Sequence, residues 1–439
     1  MPRDAFNVKT AIFVPGNWQK WQKMGISIKI SRDFYLRQLI DGRHNGLIKI
    51  VTGIRRCGKS YLLLRLFRDY LIETGTDEQH IIEIAFDDIR MDSMRKPHNM
   101  MNYVESRIVD EGMYYVLLDE VQMLDRFTEV LNSLLHIRNV DVYVTGSNSR
   151  FLSSDVATEF RGRGDEIHLY PLSFSELYSA RGGDKKGCWL DYYTYGGLPQ
   201  VHLLSGRQKR EEFLINLQKS VYLRDLTERN RIKNKSELQE LLRVMASSIG
   251  SPCNPMKLSN TFKSVKGVTI DRKTISRYLG YMEEAFIVEK ALKYDVKRKK
   301  YINSLSKYYF QDVGLRNALL DFRQIEENHI MENVIYNELR GRGYRVDVGV
   351  VEVRDNANRK QLEVDFVANS GNRRYYIQSA FSMPDERKRE QETASLKRID
   401  DSFRRIIIVR DEIVSYHDEN GFLIISLFDF LLNPDSLDE

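Results

Sequence analysis

Leu47-Ile48-Lys49-Ile50-Val51-Thr52-Gly53-Ile54-Arg55-Arg56-Cys57-Gly58-Lys59-Ser60-Tyr61 decides the fold. An apolar run, a loop of the form G-x-x-x-x-G-K-[ST] and a helix-forming stretch reaching Tyr70 follow one another without a gap. Strand, glycine loop and helix in that order are the context a phosphate-binding loop requires. Glycine lets the backbone wrap closely enough for successive N–H groups to face phosphate oxygens, and the helix N-terminus adds partial positive charge. Lys59 is expected on the phosphates and Ser60 on Mg²⁺. Gly53, Arg56, Cys57, Gly58 and Tyr61 complete the expected ATP contacts. A glycine-rich turn ahead of a core helix is the plainer account of the same residues.

Hydrolysis needs more than a loop: a carboxylate to support the metal and a group to act on water. Tyr114-Tyr115-Val116-Leu117-Leu118-Asp119-Glu120 offers both at the end of an apolar run that reads as a buried parallel strand. A sheet delivers such residues at its carboxyl edge, where open α/β sheets bind ligands. Asp119 is assigned to Mg²⁺ and Glu120 to the water. A further strand is expected over residues 81–86, followed by Asp87-Asp88. Val140 to Val144 runs into Thr145-Gly146-Ser147-Asn148-Ser149, where Thr145, Ser147 and Asn148 are candidates to bond the γ-phosphate or the water. Asn148 is the preferred one, and a plain Gly/Ser/Asn turn is the alternative. Arg163, then Arg161, is the candidate arginine finger, acting on its own subunit or on a neighbour's in a homo-oligomer.

The chain of 439 residues is long enough for two or three domains. A net charge of +5 permits nucleic-acid contact without arguing for it. Three cysteines, Cys57, Cys188 and Cys253, stand far apart with no C-x-x-C pair, which excludes a zinc site or disulfide framework and suits a reducing, cytoplasmic location. Cys57 fills a variable loop position, where oxidation sensing is the less economical reading. No apolar run approaches a membrane span. The first 23 residues lack the features of a secretory signal. Met24 stands just before the patterned sequence and is a candidate start, so residues 1–30 are read as an extension.

Residues 31–178 form the expected parallel-sheet ATPase domain and 179–235 a helical linker. Residues 236–305 read as helix, short helix, recognition-type helix and hairpin, the order of a winged helix. Asp271 is its expected N-cap, and Arg272, Lys273, Ser276 and Arg277 could face a DNA major groove, beside the basic cluster Lys297-Arg298-Lys299-Lys300. Residues 306–439 have the helix and strand order of a small α/β restriction-endonuclease-like domain. Glu332 and Asp365 stand where such nucleases hold Mg²⁺. The third element, which should read Glu-x-Lys, is Gln378-Ser379-Ala380. Neither glutamine nor alanine supplies the missing charge, so nuclease activity is not expected.

The chain resembles a widespread bacterial and archaeal family of predicted AAA-type ATPases, in which a P-loop domain precedes a C-terminal domain of unknown function. From about Ser31 onward, the resemblance rests on the loop from Gly53 to Ser60, Leu117-Leu118-Asp119-Glu120, Thr145-Gly146-Ser147-Asn148, Gly162-Arg163, Pro171-Leu172-Ser173-Phe174, Gly196-Gly197-Leu198-Pro199, Tyr309-Phe310-Gln311-Asp312-Val313-Gly314-Leu315, Glu332-Asn333-Val334 and Val364-Asp365-Phe366. Membership implies an α/β protein that binds ATP and Mg²⁺, with a winged helix and a nuclease-like tail. In that setting the residues after Val144 would take the role called sensor 1. The functional expectation is an ATPase whose nucleotide state rearranges the C-terminal parts; the alternative is a nucleotide-gated DNA-binding or defence module that hydrolyses ATP slowly.

Overall fold

Five buried or half-buried runs assemble into one parallel sheet in the computed structural model, which describes residues 30–146, 162–267, 270–355 and 358–438. They are β1 (Ile48–Thr52), β2 (Ile81–Ala85), β3 (Tyr114–Asp119), β4 (Val140–Thr145) and β5 (Gly164–His168), in the spatial order β2-β3-β4-β1-β5. Every neighbouring pair is parallel. All five carboxyl ends therefore share one edge, with β4 lying between the loop-bearing strand β1 and the acidic strand β3.

The alternation of side chains across the sheet separates two packing faces. Ile48, Ile50, Val116, Leu118, Val142 and Val144 pack with Met100, Val104, Val130 and Leu134 of two covering helices. On the other face Phe67, in the helical segment after the loop, meets Tyr143 and Tyr115 with ring centroids 4.5 and 6.4 Å apart. Lys49, read as part of an apolar run, is fully buried on β1 and pairs with Asp141 on β4. The segment after the loop is unbroken but not uniform: α-helix Lys59–Tyr61, π-helix Leu62–Phe67 and α-helix Arg68–Glu73 succeed one another.

The described chain divides into two compact units, one of residues up to 171 with 176–183, the other of 172–175 with 184–438. The expected boundary at 178/179 falls inside the helix Phe174–Arg181. In the second unit, helices Lys235–Ser247, Pro255–Thr261 and Arg272–Glu284 follow the expected order, and Asp271 caps the last by accepting from the Lys273 N–H. The hairpin expected as a wing is β6 (Val288–Asp295) and β7 (Lys300–Phe310). It does not end a separate domain. β6 also pairs in parallel with β8 (Arg345–Asp355), Lys293 facing Val348, so the expected boundary at 305/306 lies within β7 and within one sheet. With β9 (Asn358–Ser370), β10 (Arg373–Ala380), β11 (Arg404–Val409), β12 (Tyr416–His417) and β13 (Leu423–Ser426) that sheet has eight strands, ordered β12-β13-β11-β10-β9-β8-β6-β7.

Three motifs singled out in the sequence turn out to be one packing device. The buried Asp312 carboxylate accepts from the N–H groups of Gly197 and Leu315, both at 2.8 Å. A side chain at Gly314 would lie 2.0 Å from the Tyr195 carbonyl, and one at Gly197 would lie 2.2 Å from that of Leu172. Only glycine permits backbones to approach this closely.

Candidate nucleotide site

The loop between β1 and its helix is shaped by two glycines with positive φ, Gly53 at 143° and Gly58 at 110°. A Cβ at Gly53 would meet the Leu169 carbonyl at 2.2 Å and the Cys57 Sγ at 3.1 Å, so the loop is pressed against the end of β5 on one side. A Cβ at Gly58 would meet nothing within 4 Å. The loop thus has a packed face and an open face, as a phosphate cradle requires. Cys57 is fully buried, and burial raises its thiol pKa against the opposing charge of Lys59 and Arg32. Arg56 is exposed in the left-handed region, with φ of 64°.

Lys59 is 4% exposed, and its ammonium donates to the carbonyls of Gly53 at 3.0 Å and Ile54 at 3.2 Å. Carbonyls carry no net charge, so a triphosphate is a better partner for the same amine. Tyr61 is also buried, but its hydroxyl turns to the Ile30 carbonyl at 3.4 Å. Burial pushes the phenol up to about 12.

Asp119 has the same parity on β3 as Tyr115 and Leu117 and therefore faces the helix that begins at Lys59. Its carboxylate accepts from the Thr145 hydroxyl, and the Ser60 hydroxyl near it helps to hold its charge. Thr145 Oγ1 in turn accepts from the Glu120 N–H at 3.0 Å. Thr145 therefore joins the two acidic residues. Burial, with smaller contributions from Glu120 and Asp87, pushes the Asp119 carboxyl up to about 6. Glu120 is half-buried at the strand end with φ of 52° and accepts from the Gln122 side chain. Ser60, Asp119 and the open loop fit an Mg²⁺-bound triphosphate: hydroxyl and carboxylate oxygens are the ligands this hard cation takes.

Asn148, Ser147 and Arg161 lie outside the described residues. Arg163 is exposed at the start of β5, where its carbonyl accepts from the Ile48 N–H at 2.8 Å. Because β5 runs parallel to β1 with Gly164 opposite Ile48 and His168 opposite Thr52, Arg163 stands at the amino edge of the sheet, roughly 13 Å of strand from the loop. A finger role on its own subunit's site does not fit this position. We expect Arg163→Ala to leave turnover of dilute protein within about twofold of wild type, whereas loss of a finger costs roughly 10³-fold or more. Phosphate release across a dilution series checks this, and a large deficit at the lowest concentration would contradict the placement.

Two residues near the loop carry weight that sequence reading missed. Arg32 is 2% exposed, bonds Glu176 at 3.0 Å and the Tyr170 carbonyl, and directs its charge toward Cys57. Asp87 follows β2, whose pairing with β3 sets Ala85 opposite Asp119. The strand order supplies that neighbour, and no motif announces it.

In the second unit Glu332, on the helix Glu327–Gly341, and Asp365, on β9, come together as expected. They do so around Lys307 of β7, whose Nζ lies 2.8 Å from Glu332, 2.8 Å from Glu363 and 4.0 Å from Asp365. The Gln378 amide oxygen is buried without a partner among the described residues. The signal for Lys307 was a lysine immediately before the aromatic run Tyr308-Tyr309-Phe310.

Residues 45–178 match the model of an AAA domain, and residues 188–326 match that of a domain of unknown function, DUF8612. An uncharacterized protein of Haemophilus influenzae is 32% identical over 412 residues, covering 92% of this chain and 98% of that protein. The chain belongs to the family of that protein. An uncharacterized protein of Methanocaldococcus jannaschii is 26% identical over 87% of this chain and 85% of its own length. In this family the AAA-type ATPase domain corresponds to the first unit, and its loop and acidic strand are those described above. A solved structure titled the Walker-type ATPase of Pyrococcus abyssi is 17% identical with a TM-score of 0.45, covering 66% of this chain and 96% of its own. Among the described residues no helix is long and apolar enough to cross a membrane. The three cysteines are buried thiols outside any disulfide.

Proposed function

We propose that this family member binds ATP with Mg²⁺ at the loop from Gly53 to Ser60 and hydrolyses it. The observation that carries the reading is the succession of Asp119, the Thr145 hydroxyl and the Glu120 N–H beside the loop that ends in Ser60. Ser60 and Asp119 would hold the metal. Held there, Mg²⁺ would neutralise charge on the phosphoryl group in transfer. Lys59 would exchange its two carbonyl partners for phosphate oxygens. Glu120, held at the strand end by Thr145, would orient the attacking water and accept its proton. Contact that depends on the γ-phosphate then supplies the free energy by which nucleotide state could rearrange the C-terminal parts. Phosphate release by the full chain, with Mg²⁺ and with EDTA, tests the reading. Folded protein that releases none under either condition removes it.

A second reading, a nucleotide-gated DNA-binding or defence module, is favoured by one specific feature. Arg272, Lys273, Ser276 and Arg277 are all exposed on one helix, and none of the three basic residues has a carboxylate ion-pair partner among the described residues. Unpaired cations on an exposed helix suit phosphate contacts. Duplex DNA affinity should fall steeply with salt, and Arg277→Glu should weaken it roughly tenfold while lowering the salt slope by about one. No binding at low salt would count decisively against this reading.

A further inference from the structure

Three carboxylates from two elements converge on one buried amine in the second unit. The Lys307 side chain is 3% exposed, with Glu332 and Glu363 oxygens at 2.8 Å and an Asp365 oxygen at 4.0 Å. The surrounding groups hold this arrangement from outside. The Tyr309 hydroxyl donates to Glu332 at 2.7 Å, the Ser379 N–H donates to Asp365 at 2.8 Å, and Lys293 lies 3.5 Å from Glu363. Burial alone would lower the Lys307 pKa, but Glu332, Asp365 and Glu363 together raise it. Burial and the Glu332 charge raise the Asp365 carboxyl pKa, against the opposing charge of Lys307. Among the described residues no group of three or more His, Cys, Asp or Glu side chains is placed to hold a metal ion.

We infer that the Lys307 ammonium is the resident cation of the Glu332, Glu363 and Asp365 cluster, and that it occupies the space a divalent metal would need, closing the cluster to metal. An ammonium satisfies carboxylates by donating hydrogen bonds, yet it cannot polarise a phosphate or activate a bound water as a divalent ion does. Two departures therefore act together: β10 lacks the charged residues of a metal nuclease at Gln378 and Ala380, and β7 inserts a cation of its own. This inference does not depend on the ATPase reading, because the residues lie in the second unit and its readout needs no nucleotide.

The test is Mn²⁺ binding by the nucleotide-free full chain, followed by electron paramagnetic resonance of free Mn²⁺. Wild type and Asp365→Asn should bind Mn²⁺ with the same stoichiometry, because the cluster contributes no site. Lys307→Ala, which removes the charge and leaves room, should take up one further equivalent, and Lys307→Ala combined with Asp365→Asn should lose it. A site present in wild type and lost in Asp365→Asn overturns the inference, as does a folded Lys307→Ala protein with no added site. Should Lys307→Ala fail to fold, the comparison of wild type with Asp365→Asn still decides.

Discussion

Lys59→Ala lowers ATP turnover by roughly 10²- to 10³-fold, the loss expected when one pre-placed donor to the developing charge is removed. The expectation follows from where the amine already is. It is buried at the loop and donates to the Gly53 and Ile54 carbonyls. No reorganisation of the fold is needed to present it to phosphate. The loop itself should survive the change, because its shape comes from Gly53 against Leu169 and from the buried Cys57. A circular dichroism melt close to that of wild type, with phosphate release near background, is the expected pair of results. Unchanged phosphate release would remove the assignment of this loop as the active one.

Asp119→Asn should lose turnover by a similar factor and yet make the metal-free protein more stable. The carboxyl has an ordinary value of 3.8 and is pushed up to about 6 by burial first and by Glu120 and Asp87 next. A folded-state pKa above the unfolded one means that the fold prefers the proton. The associated stability is fully present below 3.8 and is lost as pH rises through about 6. A shift of that size corresponds to roughly 2–3 kcal/mol. Asparagine copies the protonated acid, so urea unfolding without metal should show the variant ahead of wild type by roughly that amount above pH 6, and level with it near pH 4. With Mg²⁺ and ATP in hundredfold excess over Kd the gap should close, since only wild type gains about 2.7 kcal/mol from binding. Equal stability of the two proteins at pH 8 without metal would show that Asp119 is not the desolvated carboxylate described here.

The candidate site was legible because its chemistry is local. Glycines at fixed offsets, a lysine and a hydroxyl next to each other, and two acids closing an apolar strand are all consecutive in the chain, and the parallel sheet only brings two such segments to one edge. Residues whose role depends on strand order were less legible. Asp87 gains importance because β2 pairs with β3, and Arg163 loses the cis role because β5 runs parallel to β1. Neither pairing leaves a mark in the sequence. The hairpin of β6 and β7 shows the same limit. Local pattern identified its two strands and the helix before it, but the parallel contact of Lys293 with Val348 joins residues more than fifty positions apart. Lys307 was missed for a further reason. A lysine inside a strand reads as an edge or surface residue, and only the convergence of Glu332, Glu363 and Asp365 makes burial of its charge tolerable.

Isothermal titration calorimetry of the full chain with ATP in the presence of Mg²⁺ tests the central claim most directly. One site per chain is predicted, with heat lost in Lys59→Ala and greatly reduced on replacing Mg²⁺ by EDTA. Folded wild-type protein that gives no heat with ATP and Mg²⁺ would contradict it.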